Sequence, residues 1–186
     1  MPEQKHFFQR FRVDDPLALA RRVEQLTDEL DVTRVKHDQY EQLDLMSRLG
    51  TNLTILGRED EAAPLLEQAL AMAREQGNQR LEVAVLLHLA TAIQYLGQCD
   101  QAQELFQEAL AKARDYNQLS YEDFILHHQG RCFVEQGKRA EARTCFEQAL
   151  QLRRQKGEQR GIASTQNALD ALNELEQFHS SESDAG

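Results

Sequence analysis

The sequence has no tryptophan, only three prolines and only three cysteines among its 186 residues. Proline interrupts helices, so its scarcity favours long helices, and good helix formers such as Ala, Leu, Glu, Gln and Arg recur throughout. The cysteines, Cys99, Cys132 and Cys145, are odd in number and form no CxxC pair. This pattern argues against a secreted disulfide framework and predicts reduced thiols in a cytoplasmic protein.

Long apolar runs and clusters of positive charge are also missing. No segment approaches the roughly 20 apolar residues that a transmembrane helix needs, and the N-terminal residues do not resemble a signal peptide. Acidic residues outnumber basic ones 31 to 21, which gives a formal net charge of −10. Such a charge repels nucleic acid and anionic membranes. We therefore expect a cytoplasmic protein that binds neither nucleic acid nor a membrane.

Motifs for catalysis are absent from the sequence. There is no glycine-rich phosphate loop, no GxSxG and no HExxH, which are the short motifs that would indicate phosphate, acyl-transfer or zinc chemistry. His128 and Cys132 are four residues apart and could face the same side of a helix, but no second pair has the spacing that a four-ligand zinc site requires. We predict a protein that is not an enzyme and needs no metal and no cofactor.

A repeat with a period of forty residues dominates the sequence. The phrase LLEQALAMAREQGN at residues 65–78 recurs as LFQEALAKARDYNQ at 105–118 and as CFEQALQLRRQKGE at 145–158. Each copy has one glycine between its two helical patterns, where a residue with positive φ can turn the chain. These glycines are Gly57, Gly97 and Gly137. Each unit is therefore predicted to be a helix hairpin that buries its apolar face against its neighbours.

The first helix of each predicted hairpin has a small residue in the middle of its apolar stripe. This residue is Gly50, Ala90 or Gly130, and we expect it to let two helix backbones approach closely. In the third copy, Gln129 and Gln136 replace leucines. That helix is expected to pack less tightly or to bury an amide that needs a partner.

These positions together resemble the tetratricopeptide repeat, over residues 40 to 160. The period of forty, instead of the usual ~34, is similar to a longer-helix subclass found in peptide-sensing and signalling scaffolds of bacteria. The resemblance implies an all-α protein, a right-handed α-solenoid of about three helix hairpins with capping helices at both ends. Arg74, Arg114 and Arg154 stand where the family usually has a proline, so we expect the second helices to run on without a break.

The predicted boundaries follow this register. Asp15 is expected to cap a helix that begins at Pro16 and covers the first repeat. Phe7, Phe8 and Phe11 either fold back onto the solenoid or form an exposed patch. The predicted segments are an N-terminal segment with its capping helix (1–39), three repeats (40–79, 80–119 and 120–159), a C-terminal capping helix with a polar outer face (160–177) and a disordered tail (178–186).

In the tetratricopeptide family the first helices line a concave groove, and the resemblance implies a peptide-binding groove here. By position, its residues are Ser47, Arg48, Thr51, Ile55, Leu87, His88, Thr91, Tyr95, Phe124, His127, His128, Arg131 and Glu135. This set is mildly basic and predicts a ligand with acidic and apolar groups, bound more strongly below about pH 6.5, where imidazole gains charge. A charged helix face without any ligand is the alternative.

The resemblance favours a non-catalytic adaptor that binds a peptide or helix of a partner protein. One alternative is a self-assembling homodimeric scaffold, joined through the N-terminal phenylalanines or the terminal helices. Another is a peptide-sensing regulatory protein whose output depends on a partner.

Overall fold

The computed structural model describes residues 15–183, with side chains described up to Glu176. Across this range the chain is all-α, with no strand. It forms two compact units, residues 15–121 and 122–183. The first unit contains α1 (Pro16–Lys36), α2 (Gln39–Leu56), α3 (Glu59–Glu75), α4 (Gln79–Tyr95), α5 (Cys99–Asp115) and a short 3-10 helix (Leu119–Tyr121), and the second contains α6 (Glu122–Glu135), α7 (Arg139–Lys156) and α8 (Gln159–Ser183).

Successive helices pack against each other within each unit, and α2 also packs directly against α4. The prediction of an all-α protein built from adjacent helix pairs is confirmed. In the repeat register, α2, α4, α6 and α8 are first helices, while α1, α3, α5 and α7 are second helices. The apolar positions of α3, α5 and α7 face the interior, with alanines and Phe106 or Phe146 fully buried.

Helix α1 begins as the sequence predicts. Asp15 is its N-cap, its Oδ1 accepts a hydrogen bond from the amide of Ala18 at 2.9 Å, and Pro16 occupies the first turn. Val23, Leu26 and Leu30 are buried, and α1 packs against α2. This confirms that α1 covers the first repeat.

One flank of α1, beside its buried stripe, is polar. Arg22 Nη1 donates to Gln25 Oε1 at 2.8 Å, and Gln25 Nε2 donates to Glu29 Oε1 at 2.7 Å. In α3 the corresponding positions, forty residues later, are Ala62, Leu65 and Ala69. Since Arg22, Gln25 and Glu29 are hydrogen-bonded to one another, this flank of α1 is suited to contact with water, as expected of a terminal helix in a repeat protein.

Residues with positive φ recur every twenty positions, and they end helices of both kinds. They are His37, Gly57, Gly77, Gly97, Asn117, Gly137 and Gly157. The hairpin turns predicted at Gly57, Gly97 and Gly137 are confirmed. The other four residues follow the second helices.

The expectation that the second helices run on past Arg74, Arg114 and Arg154 is wrong. They end at Glu75, Asp115 and Lys156. A residue in the left-handed conformation follows within two positions and reverses the chain. The amide of the residue after it donates a hydrogen bond to a carbonyl in the last turn of the helix. The amide of Asn78 donates to the carbonyl of Ala73 at 2.8 Å, and the amide of Gln118 donates to that of Ala113 at 2.7 Å. Helix termination therefore needs no proline, because the backbone satisfies the last carbonyls.

Asn117 is expected to limit stability at one of these turns, because its φ is 55°. A side chain with a Cβ is disfavoured in this conformation, whereas glycine adopts it freely. We expect Asn117→Gly to raise the free energy of unfolding by about 0.5–1 kcal/mol in thermal or urea denaturation. The matched control is Gly77→Ala, which should lower stability; a loss on Asn117→Gly would contradict the prediction.

The small residues of the first helices do admit a close contact. A Cβ added to Gly50 would lie 2.5 Å from Cγ of Leu66, and one added to Gly130 would lie 2.8 Å from Cε1 of Phe146. At Gly50 and Gly130 the space is filled by a side chain of the second helix, whereas the sequence predicted a close approach of the two backbones. Gln129 is buried, and its Oε1 lies 4.0 Å from Sγ of Cys145.

The second unit is held together by a core between α7 and α8. It consists of Ala142, Phe146, Leu150, Ala168, Leu169 and Leu172. Asp170 and Asn173 are exposed, and Asn173 accepts a hydrogen bond from Arg143 at 2.7 Å. Helix α8 continues to Ser183, beyond the predicted end of the cap at 177 and into the segment that we predicted to be disordered. Phe7, Phe8 and Phe11 lie outside the described residues.

Candidate functional site

Two neighbouring first helices present matched rows of side chains in the first unit. The rows have the same spacing on α2 and α4, at positions forty residues apart, and the two helices pack side by side. We call this the α2–α4 surface, formed by Asp44, Arg48, Thr51, Ile55, Ala84, His88, Thr91 and Tyr95. Asp44 and Arg48 are exposed, Ala84 is buried, and the other five are half-buried. Of the remaining predicted residues on these helices, Ser47 and Leu87 are buried.

The threonines of this surface use their hydroxyl protons within their own helices. Thr51 Oγ1 donates to the carbonyl of Ser47 at 2.8 Å, and Thr91 Oγ1 donates to that of Leu87 at 2.8 Å. A hydroxyl oxygen keeps acceptor capacity after it has donated its proton. The two threonines therefore offer a ligand an acceptor and a methyl group, but not a donor.

The α2–α4 surface carries little net charge. Arg48 Nη1 forms an ion pair with Asp44 Oδ2 at 3.2 Å, and burial lowers the pKa of His88 to about 4. His88 is therefore neutral at physiological pH. The expectation that this histidine gains charge below about pH 6.5 is wrong, because removal from water disfavours the imidazolium.

We expect the His88 ring protons to titrate with a midpoint near pH 4 in an NMR titration of the whole chain. Because the pKa is lower in the folded than in the unfolded chain, the unfolded chain binds more protons between about pH 4 and the usual histidine value. Stability should fall as the pH is lowered through this window. A midpoint for His88 near the usual histidine value would contradict the prediction.

The remaining five predicted groove residues lie on α6, in the second unit, and form a separate set. Phe124 and Glu135 are exposed, while His127, His128 and Arg131 are buried. The structure thus brings eight predicted residues together on α2 and α4, and five on α6.

His127 is held between the helices of the second unit. Its Nδ1 lies 3.2 Å from Thr165 Oγ1 on α8, and its ring centroid lies 5.5 Å from that of Phe146 on α7. Burial, followed by the charges of Arg153 and Arg131, lowers the pKa of His127 well below its usual value. The prediction of a gain of charge below about pH 6.5 is therefore also wrong for His127. Through these contacts the imidazole of His127 helps to join α6 to α7 and α8.

Sequence analysis missed a buried ionic cluster in the second unit. Arg153 Nε donates to Asp123 Oδ2 at 2.9 Å, and Lys156 forms an ion pair with Asp123 Oδ1. The Asp123 and Arg153 side chains are 0% and 3% exposed. The signal in the sequence is a departure from the repeat, because Arg153 stands where the earlier copies have Ala73 and Ala113.

A second ionic cluster joins three helices of the first unit. The carboxylate of Glu82, on α4, is only 8% exposed and lies 3.3 Å from Arg74 Nε on α3 and 3.6 Å from Lys112 Nζ on α5. The hydroxyl of Tyr116 donates to the same carboxylate at 2.8 Å. Both clusters pair an acid near the start of a first helix with bases near the ends of second helices, where the helix dipoles favour those charges.

Comparison with known proteins identifies the repeat. The tetratricopeptide repeat family matches two overlapping segments, residues 41–115 and 81–155. The chain belongs to the tetratricopeptide repeat family. Proteins of this family are typically non-catalytic repeat scaffolds, and membership supports a general role in protein–protein interaction. No curated protein is significantly similar to this tetratricopeptide repeat chain in sequence.

Solved structures show the same tetratricopeptide repeat fold at low identity. The nearly identical repeats assigned to a kinesin light chain of Podosopora anserina share 20% identity, with a TM-score of 0.62, over 90% of this chain and 88% of that chain. A variant of that protein has a TM-score of 0.63 at 20% identity, over 87% and 85%. BtubC from P. vanneervenii shares 17% identity, with a TM-score of 0.57, over 91% and 84%. These likenesses concern the fold alone.

Two further observations apply to the described part of this tetratricopeptide repeat protein. Among its side chains, no group of three or more His, Cys, Asp or Glu is placed to hold a metal ion. Between residues 15 and 183, no helix combines the length and the apolar character needed to cross a membrane.

Proposed function

We propose that this protein is a non-catalytic adaptor that binds a peptide or helix of a partner protein on the α2–α4 surface. The observation that carries the proposal is the pair of matched rows on two first helices packed side by side. Half-buried side chains can bury further area against a ligand without a large rearrangement, because much of their freedom is already lost.

The side chains of this surface define the chemistry of the ligand. Ile55 and Tyr95 offer apolar contact area. Arg48 is exposed on the same surface, and a ligand carboxylate could take the place of Asp44 in its ion pair. We therefore expect a segment with apolar side chains near an acidic group, whose backbone or side-chain donors reach Thr51 and Thr91. The α6 residues stay a separate prediction.

The proposal is tested with the double variant Ile55→Ala, Tyr95→Ala. A partner captured from the source cells by the wild-type chain is purified, and its dissociation constant is measured for each variant. Loss of two anchors should weaken binding at least about tenfold. The matched control is Gln68→Ala, Gln107→Ala, which changes two exposed positions on α3 and α5 and should leave the affinity unchanged.

Two results would contradict the proposed adaptor. One is equal affinity of the wild-type chain and the Ile55, Tyr95 variant, with both shown by circular dichroism to be equally helical. The other is capture of this chain alone, as a stable dimer, which would favour the self-assembling scaffold.

A further inference from the structure

The contact between α7 and α8 depends on one large and one small residue. Arg153 Nη1 donates to the carbonyl of Gly161 at 2.9 Å and also donates to Thr165 Oγ1. A Cβ added to Gly161 would lie 3.0 Å from Cδ and 3.2 Å from Nε of Arg153. The arginine side chain therefore packs tightly over residue 161, and an added Cβ would force it to move by a few tenths of an ångström.

The earlier repeats have the opposite distribution of sizes at these register positions. Where α7 has Arg153, α3 and α5 have Ala73 and Ala113. At the position of Gly161, each of the other repeats has a residue with a side chain, either on the first helix or directly before it. The counterparts of Gly161 are Glu41, Leu81 and Tyr121, and those of Thr165 are Leu45, Val85 and Ile125.

Asp123 is the third part of this arrangement. It binds Arg153 from α6, while Gly161 and Thr165 bind the same guanidinium from α8. The ring of Phe124 lies 5.0 Å from Cζ of Arg153. The guanidinium is thus held in one position by α6, and it presents donors to the helix that packs on α7. A guanidinium has a fixed fork of donors, so the positions of its acceptors are fixed as well.

We propose that α6 and α7 form a docking site that recognises a G-x-x-x-T pattern. This pattern selects α8 over the other first helices, whether they belong to this chain or to a second copy of it. A helix with a Cβ at the position of Gly161 presses on the Arg153 side chain, because that Cβ would lie 3.0 Å from Cδ and 3.2 Å from Nε, and a larger side chain there has to displace the guanidinium from its acceptors. A helix with Leu, Val or Ile at the position of Thr165 leaves a buried donor of Arg153 without its acceptor, which is costly.

Such selection matters in a protein made of similar units. First helices with the same apolar register can dock in the wrong order, or onto a second copy of the chain, and repeat proteins commonly misassemble in this way. The Arg153 site makes the docking of α8 specific by shape and by hydrogen bonds. At the positions of Asp123 and Arg153 the second repeat has Val83 and Ala113, whose side chains offer no hydrogen bond that could select a helix.

The test exchanges both sides of the contact in the full-length chain. Gly161→Leu, Thr165→Val gives α8 the residues of α4, and Asp123→Val, Arg153→Ala gives α6 and α7 the residues of the second repeat. Amide hydrogen exchange over residues 159–176 reports the docking of α8, with residues 39–95 as the internal reference. We expect the first pair of substitutions to accelerate exchange in α8 at least about a hundredfold. All four substitutions together should restore protection to within about tenfold of wild type.

The control adds similar bulk to exposed positions of α8, with Ala163→Leu and Ser164→Val; it should leave the exchange of α8 unchanged. If Gly161→Leu, Thr165→Val has no effect, or if the four substitutions together have the sum of the two separate effects, recognition by these residues is refuted. If the Gly161, Thr165 variant does not fold, recovery in the fourfold variant still supports the proposal, and failure to recover overturns it.

Discussion

Replacing Arg153 with alanine is expected to lower the free energy of unfolding of the second unit by about 3–5 kcal/mol. The reason is that Asp123 is fully buried and, among the described residues, is left with Lys156 as its charged partner, while Thr165 and the carbonyl of Gly161 lose a donor. A buried carboxylate with one partner removed bears most of its desolvation cost without compensation. Urea denaturation followed by circular dichroism, together with amide exchange in α7 and α8, measures this loss.

Arg154→Ala is the matched control for this prediction. Arg154 is exposed, and its hydrogen bond to Gln166 is long, at 3.4 Å. Its removal should change stability by no more than about 0.5 kcal/mol. Arg153→Lys keeps the charge but loses the planar fork, so an intermediate loss is expected. Equal effects of Arg153→Ala and Arg154→Ala would show that the buried cluster does not stabilise the unit.

Phe146→Ala is expected to lower the free energy of unfolding by about 3–5 kcal/mol, since the ring is fully buried between α6, α7 and α8 and its loss leaves a cavity. The same ring excludes any side chain at Gly130, because an added Cβ would lie 2.8 Å from it. Gly130→Ala alone should therefore cost about 1–3 kcal/mol. Both losses are measured by urea denaturation.

The two changes should not be additive. Once the ring is removed, the methyl group of Gly130→Ala enters the cavity, and alanine also favours the helix by up to about 1 kcal/mol over glycine. The double variant is therefore expected to be at least as stable as Phe146→Ala alone. Gln148→Ala, at an exposed position of α7, is the neutral control. Simple addition of the two losses would contradict the close packing of Gly130 and Phe146.

The helices and hairpin turns could be predicted because each depends on local and periodic features. Asp15 before Pro16 marks the start of α1, and glycine every forty residues marks the hairpin turns. The ends of the second helices could not be predicted from the absence of proline, because a left-handed residue after each helix ends it. Asn117 adopts the left-handed conformation at one of these ends, where the equivalent residue of the other repeats is glycine. Asparagine is a weaker signal than glycine for this conformation.

The candidate site could be predicted only as positions on helix faces. The spacing placed Arg48, His88 and Tyr95 on first helices, and the structure keeps them on the α2–α4 surface. Their charge could not be predicted, since it depends on pairing with Asp44 and on burial. Phe124 and His127 are three residues apart, yet one is exposed and the other is buried against Phe146 and Thr165.

By itself, the sequence determined the repeat, the helical class and the turns, because a period of forty residues with apolar spacings of three and four is written in the order of residues. Only the tertiary structure decided which polar groups are buried and with what partners. Arg153 and Arg154 are neighbours of the same type, and one binds Asp123 in the core while the other is exposed. Hydrogen bonding and desolvation depend on contacts between residues about thirty positions apart, and these contacts exist only after the helices have packed.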